Sequence, residues 1–253
     1  MLVDTHCHLD AREFDRDRGG VMARARAAGV TTQVIPAITL AGFEDLRRLC
    51  DGTPGLHPAW GLHPLFLAEH APEHLRALRD WLERERPVAV GECGLDFYVD
   101  GLDRDLQQDY FLRQLELARE FGLPVIIHAR RAVEAVIKAI RATGGLRGVV
   151  HSFSGSAEQA AQLFRLGFHL GIGGPVTYPR ARRLRAVVAT MPAEWLLLET
   201  DAPDQPLHGH QGERNEPARL ADVLQVVATL RDEEPAALAA ATSRNARALF
   251  GLD

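Results

Sequence analysis

Eight short runs of β-branched and aliphatic residues recur along this chain, beginning near Leu2, Thr32, Pro58, Val88, Pro124, Gly148, Phe168 and Trp195. Each is followed by a stretch able to form a helix. The starts lie 20 to 36 residues apart, which suits a strand plus the right-handed helical crossover that joins parallel strands. Eight such units predict a closed (β/α)8 TIM barrel of the α/β class. A barrel of this kind commonly occupies a chain of this length, so residues 1–253 are expected to form a single domain.

The intervening segments carry helical signals. Between Asp103 and Gly122, the residues Leu112, Leu115, Ala118 and Phe121 recur at three- and four-residue spacing and predict the buried face, with Arg113, Glu116, Arg119 and Glu120 on the wet side. Gly122 and Pro124 then stop the helix. From Ala202 to Pro217 the chain runs through a Pro/Gly/His-rich loop long enough to suggest function, and two Ala/Leu-rich helices follow it.

A formal charge of −5 argues against a protein that coats nucleic acid through a broad basic field, so any phosphate substrate must be held locally by metal ions and a few arginines. The three cysteines, Cys7, Cys50 and Cys93, are odd in number and scattered, which predicts free thiols and a cytoplasmic location. No stretch has the apolar length of a membrane span, and the first residues carry no signal-peptide pattern. No obligate protein partner is evident.

Chemistry-bearing residues gather where the expected strands end. Strand one ends at His6 and His8, strand four at Glu92, strand five at His128, strand six at His151 and strand eight at Asp201. Alternation in an extended backbone turns His6 and His8 the same way and sends Cys7 to the other face. Side chains at the carboxyl ends of barrel strands converge on one rim, where active sites of this fold lie. A lone His-x-His is a weak signal; the joint pattern carries the weight. Four imidazoles and two carboxylates exceed the needs of one four-coordinate ion and suit a pair about 3.5–4 Å apart. Lys138, the only lysine, falls inside an expected helix, so Glu92 is the expected bridge between the ions. Zinc, manganese, iron, cobalt and magnesium all remain compatible with such donors.

The runs Val3-Asp4-Thr5-His6-Cys7-His8-Leu9-Asp10, Gly61-Leu62-His63-Pro64, Gly91-Glu92-Cys93-Gly94-Leu95-Asp96, Ile127-His128-Ala129-Arg130, His151-Ser152-Phe153-Ser154-Gly155 and Leu198-Glu199-Thr200-Asp201-Ala202-Pro203 resemble the TatD family of metal-dependent deoxyribonucleases. Gly173 to Ala181, with Asp204-Gln205-Pro206-Leu207 and Arg214-Asn215-Glu216-Pro217, resembles its YjjV-like branch. The likeness spans nearly the whole chain. It implies a barrel, two divalent ions (zinc, manganese or magnesium) held by His6, His8, Glu92, His128, His151 and Asp201, and hydrolysis of phosphodiester bonds in DNA, as single strands or ends. Cys93 and Ala129 stand where the family commonly has an aliphatic residue and serine.

Within that scheme the ions activate a water, Asp201 takes its proton, and Glu92 serves both as ligand and in catalysis. His63, past strand three, either contacts phosphate or the leaving oxygen, or stabilises its loop. Asp96 and Asp4 are candidates to orient ligand histidines or simply to hold structure by hydrogen bonds. Arg130, Arg180 and Arg214 sit in rim loops as candidate phosphate contacts, Arg130 and Arg180 being, with His63, the substrate-binding residues expected here. Two rivals share the residues: the same centre acting on a carboxylic ester or amide such as aminoacyl-tRNA, and a non-catalytic metal-binding barrel.

Overall fold

A computed structural model describes residues 1–252. Eight strands alternate with helices: β1 (Leu2–Asp4), β2 (Val30–Pro36), β3 (Leu56–Trp60), β4 (Ala89–Asp96), β5 (Val125–Arg130), β6 (Gly148–Val150), β7 (Phe168–Ile172) and β8 (Leu196–Leu198). The helices are α1 (Arg18–Ala27), α2 (Phe43–Asp51), α3 (Pro72–Glu85), α4 (Arg104–Phe121), α5 (Val133–Thr143), α6 (Ala157–Arg165), α7 (Arg182–Thr190), α8 (Leu220–Arg231) and α9 (Pro235–Phe250). The strands lie in sequence order and each pairs parallel with the next, which is the expected TIM barrel. Between β8 and β1 the seam is drawn together just past the strand ends. Thr5 N donates to Leu198 O at 3.1 Å, and Asp201 N to His6 O at 2.9 Å. Asp4 adds side-chain acceptors for Thr200 N and Oγ1 at 3.0 and 2.6 Å, so its hydrogen bonds are structural.

The barrel interior is filled by Val3, Val34, Ala59, Ala89, Ile126, Val149 and Leu197, a packed core of mostly branched side chains. Leu249 and Phe250 of α9 join that cluster. Near them, Ser243 Oγ donates to Met1 O and Asn245 Nδ2 to Ala193 O and Leu196 O, so α9 closes the mouth where the strands begin. A larger apolar shell lies between strands and outer helices, including the aromatic contacts of Phe43, Trp60 and Trp81. Among the described residues, no helix is long and apolar enough to cross a membrane.

Helix α4 spans the expected segment, with Asp103 accepting from the N–H groups of Asp105 and Leu106 and with Gly122 at φ 66° ending it. Its buried face differs from the expected one. Leu112 is exposed, whereas Gln107, Phe111, Gln114, Leu115 and Ala118 are buried. Polar side chains replace the expected apolar contact because they serve backbone at or just past strand ends: Gln114 receives Leu62 N–H and donates to Leu62 O, and Gln107 does the same for Asp96. A buried peptide group left without a partner is costly, and hydrophobic spacing is blind to that need.

Candidate metal centre

The strands stop short of, or run past, the residues expected to end them. β1 ends at Asp4, β6 at Val150 and β8 at Leu198, so His6, His8, His151 and Asp201 stand in the connections just beyond. Glu92 lies in the middle of β4, where pairing with β5 shifts register between Val90 and Cys93. The six side chains nevertheless meet at one place on the rim, because a chain leaving a short barrel strand keeps its direction for a few residues.

Glu92 organises the meeting. Its Oε2 faces His6 Nε2 at 3.1 Å and His8 Nε2 at 3.4 Å, and the same two nitrogens lie 3.5 and 3.7 Å from Asp201 Oδ1. Its Oε1 faces His63 Nε2, His128 Nδ1 and His151 Nε2 at 2.9, 3.1 and 2.9 Å. One carboxylate therefore presents each oxygen to a separate donor group.

The set fits divalent cations. Oε2 of Glu92 is buried without a well-directed hydrogen bond. His6 Nε2 and His8 Nε2 approach to 3.2 Å, as do His128 Nδ1 and His151 Nε2, and two lone pairs at that distance repel unless positive charge lies between them. Burial works against ionising Glu92, but His63, His151 and His6 outweigh it and hold its carboxyl well below the usual range. Burial likewise opposes a charge on His8, yet Glu92 and Asp201 raise it to about 9. A cation answers that demand as well as a proton does. Imidazole and carboxylate are the donors that zinc, manganese and related ions take.

The far side of each ring fixes its front. His128 Nε2 contacts Asp96 Oδ2 at 2.9 Å; the carboxylate accepts that N–H, which leaves the Nδ1 lone pair toward Glu92. Asp96 thus fills both roles open to it, since its Oδ1 also accepts from Tyr98 N and Val99 N and orders the fourth loop. His63 differs: its Nδ1 accepts from Leu65 N at 3.1 Å, so a neutral ring carries its proton on Nε2. Burial lowers His63 to about 4, despite Glu92, and so favours that neutral form. His63 is a hydrogen-bond donor toward the site, where His128 is an acceptor. Burial also pushes the Asp201 carboxyl up to about 6, against the pull of His151 and His8.

Two further residues belong to the centre. Glu199, fully buried, accepts Ser152 N–H through Oε1, lies 3.7 Å from His151 Nδ1, and keeps Oε2 without a partner. His6 Nδ1 and His151 Nδ1 are also unpartnered, and the two rings stack at 3.9 Å with Glu199 behind them. Gly171 makes room, because a Cβ there would overlap the Glu199 carboxylate. The i, i+2 alternation that joins His6 to His8 also joins Glu199 to Asp201, a signal present in the sequence. Gln205 is the other: its Nε2 donates to Asp201 Oδ2, and its Oε1 accepts from Ser152 Oγ at 2.9 Å. It comes from the long loop after β8, within the run Asp204 to Leu207 that carries the branch resemblance, but no spacing rule marks it as a partner of Asp201.

The centre lies in a cavity of about 750 Å³ lined by His8, His63, Phe66, Arg130 and Asp201 among others. Arg130 is therefore at the mouth, as expected. Arg180 is not; it lines a smaller adjoining hollow with Tyr178 and Pro206. Arg214 is turned away, bonded to Asp17 and Glu13 O. Cys7 and Cys93 are buried free thiols facing Gln33 and Ile126 O, and Lys138 is exposed on α5.

Comparison with known proteins agrees with this architecture. The family model described as TatD related DNase matches residues 3–251. The metal-dependent hydrolase YjjV of Escherichia coli (strain K12) is 41% identical over 254 residues, covering 99% of this chain and 98% of the relative. Its crystal structure superposes with a TM-score of 0.95 at 40% identity, over 100% of this chain and 98% of that one. The 3'-5' ssDNA/RNA exonuclease TatD of Pantoea sp. (strain At-9b) is 37% identical over 261 residues, covering 99% of this chain and 100% of the relative. The chain belongs to the TatD family of metal-dependent hydrolases, on its YjjV-like branch.

Proposed function

We propose that the chain, as one hydrolase domain over residues 1–253, cleaves phosphodiester bonds of DNA with two divalent ions, taking single strands or ends as an exonuclease. The observation that carries this reading is the division of donors about Glu92. Oε2 with His6, His8 and Asp201 would hold one ion, and Oε1 with His128 and His151 the other. Bound there, zinc, manganese or magnesium would supply an acidified water and positive charge for the phosphate and the leaving oxygen. The protein's own groups complete the chemistry. Asp201, whose Oδ2 is held by Gln205, presents Oδ1 to accept the water's proton. His63, whose Nε2–H lies 2.9 Å from Glu92 Oε1, would turn that N–H to a phosphate or leaving oxygen once an ion engages the carboxylate oxygen. The name of the Pantoea relative supports nucleic acid as the substrate class. Three buried thiols suit a reducing compartment such as the cytoplasm.

The reading is tested by stripping the protein of metal, reloading it with one ion type at a time, and following end-labelled single-stranded DNA. About two ions per chain and stepwise nucleotide release, both lost on chelation, are expected. Turnover confined to carboxylic esters or aminoacyl-tRNA would replace the nuclease reading, and turnover indifferent to metal would end it.

Glu199 bears on the same centre. Its carboxylate groups with His6 and His151, one ring from each donor set, and both Nδ1 atoms lack a partner; by accepting their back N–H groups it would keep both Nε2 lone pairs forward. Glu199→Gln is expected to weaken metal binding about 10–100-fold in a calorimetric titration, the usual loss when such an orienting partner goes. Unchanged affinity would reduce Glu199 to packing.

A further inference from the structure

Beside the cavity mouth stands a patch that the chemistry above leaves unused. Tyr98 is 46% exposed and Val99 39%, two of the few large apolar side chains so exposed. The Arg130 guanidinium lies 3.8 Å from the Tyr98 ring centroid and that of Arg131 4.7 Å from it. In a strand, consecutive side chains point to opposite faces. Arg131 instead adopts φ 53°, which breaks the alternation just past β5 and lets both guanidinium groups reach one ring. Neither arginine has a carboxylate within ion-pair distance among the described residues, whereas Arg24, Arg47, Arg214 and Arg231 are all paired. Two unneutralised cations thus stand on an exposed aromatic in a chain of net charge −5.

The patch is also tied to the centre. Asp96 receives the N–H groups of Tyr98 and Val99 on one oxygen and His128 Nε2 on the other, so the platform is held at a set distance from a proposed ligand. Arg130 itself lines the cavity, making one surface continuous from metal centre to Tyr98.

We propose that Tyr98, Arg130 and Arg131 form a subsite for a nucleotide next to the bond being cleaved, in a single strand of nucleic acid. This rests on the nuclease reading and adds to it the residues that grip the strand beside the scissile bond. Each guanidinium keeps its N–H edge free for phosphate oxygens while its face is occupied by the ring. Held on the ring, the guanidinium groups turn their outer faces to an unpaired base as a stacking surface, which a base inside a duplex is not free to use.

The test compares a labelled single-stranded oligonucleotide with bis(p-nitrophenyl) phosphate, using metal-loaded wild type, Tyr98→Ala and Arg131→Ala. Tyr98→Ala is expected to raise KM for the oligonucleotide roughly 5–100-fold, in keeping with the loss of one stacked base, and to lower the preference for oligonucleotide over the small diester by a similar factor. Arg131→Ala is expected to reduce the slope of log kcat/KM against log salt by about 0.7, the share of one phosphate on a single strand. A purely structural patch would lower turnover of both substrates together and leave the salt slope alone, which would overturn the subsite. Wild type that cleaves DNA while both variants keep its KM and slope would also overturn it, without touching the nuclease reading. Wild type that cleaves neither diester would overturn both.

Discussion

Glu92→Gln is expected to remove both ions and to lower kcat/KM by about 10³-fold or more. The amide keeps the size of the carboxylate but has no charge, and only one of its two terminal atoms offers lone pairs. In the wild type, Oε2 faces His6 and His8 while Oε1 faces His63, His128 and His151, so a single substitution strikes both donor groups at once. Loss of a mere orienting partner costs about 10–100-fold in affinity or activity, and loss of one stabilising contact to developing charge costs about 10²–10³-fold. Glu92 combines the two losses. Elemental analysis with circular dichroism checks the prediction. A folded variant that retains two ions and wild-type turnover would show that Glu92 does not bridge.

Asp201→Asn should separate binding from chemistry. Asparagine keeps an oxygen for one contact, although its amide N–H groups no longer accept from Gln205, so at least one ion is expected to remain in the variant. What disappears is a group able to take a proton, and general base catalysis is commonly worth about 10²–10⁴-fold. Turnover should therefore fall by that factor while metal content stays at one or two per chain. Turnover equal to wild type would remove Asp201 from the role of base. Complete loss of metal would make it a ligand first, leaving proton transfer to another group.

Much of the fold was legible because it is written in local patterns. The eight expected strand starts fall within two residues of the observed ones, from Leu2 at β1 to Trp195 just before β8. Apolar runs of that length between helical segments have few other ways to be buried. The ends of α4 were equally plain, as Asp103 and Gly122 act through their own backbone neighbours. Its buried face was not, because Gln107 and Gln114 answer to peptide groups of Asp96 and Leu62 that are far away in sequence. The centre divides in the same manner. His6, His8, Glu92, His128, His151 and Asp201 were nameable as a set, whereas the contact of Gln205 with Asp201 depends on how the loop after β8 folds back.

The order of residues alone thus settled that alternating strands and helices wrap into a barrel, and that acid and imidazole groups stand near one set of strand ends, since periodicity and strand polarity are properties of short segments. Tertiary structure decided the rest. Which oxygen of Glu92 meets which imidazole, which ring nitrogen of His128 or His63 carries the proton, and that Arg130 and Arg131 reach one tyrosine while Arg214 turns to Asp17, are all outcomes of packing between segments. A side chain's partner across the barrel is set by register, twist and loop path. No stretch of sequence contains those three together.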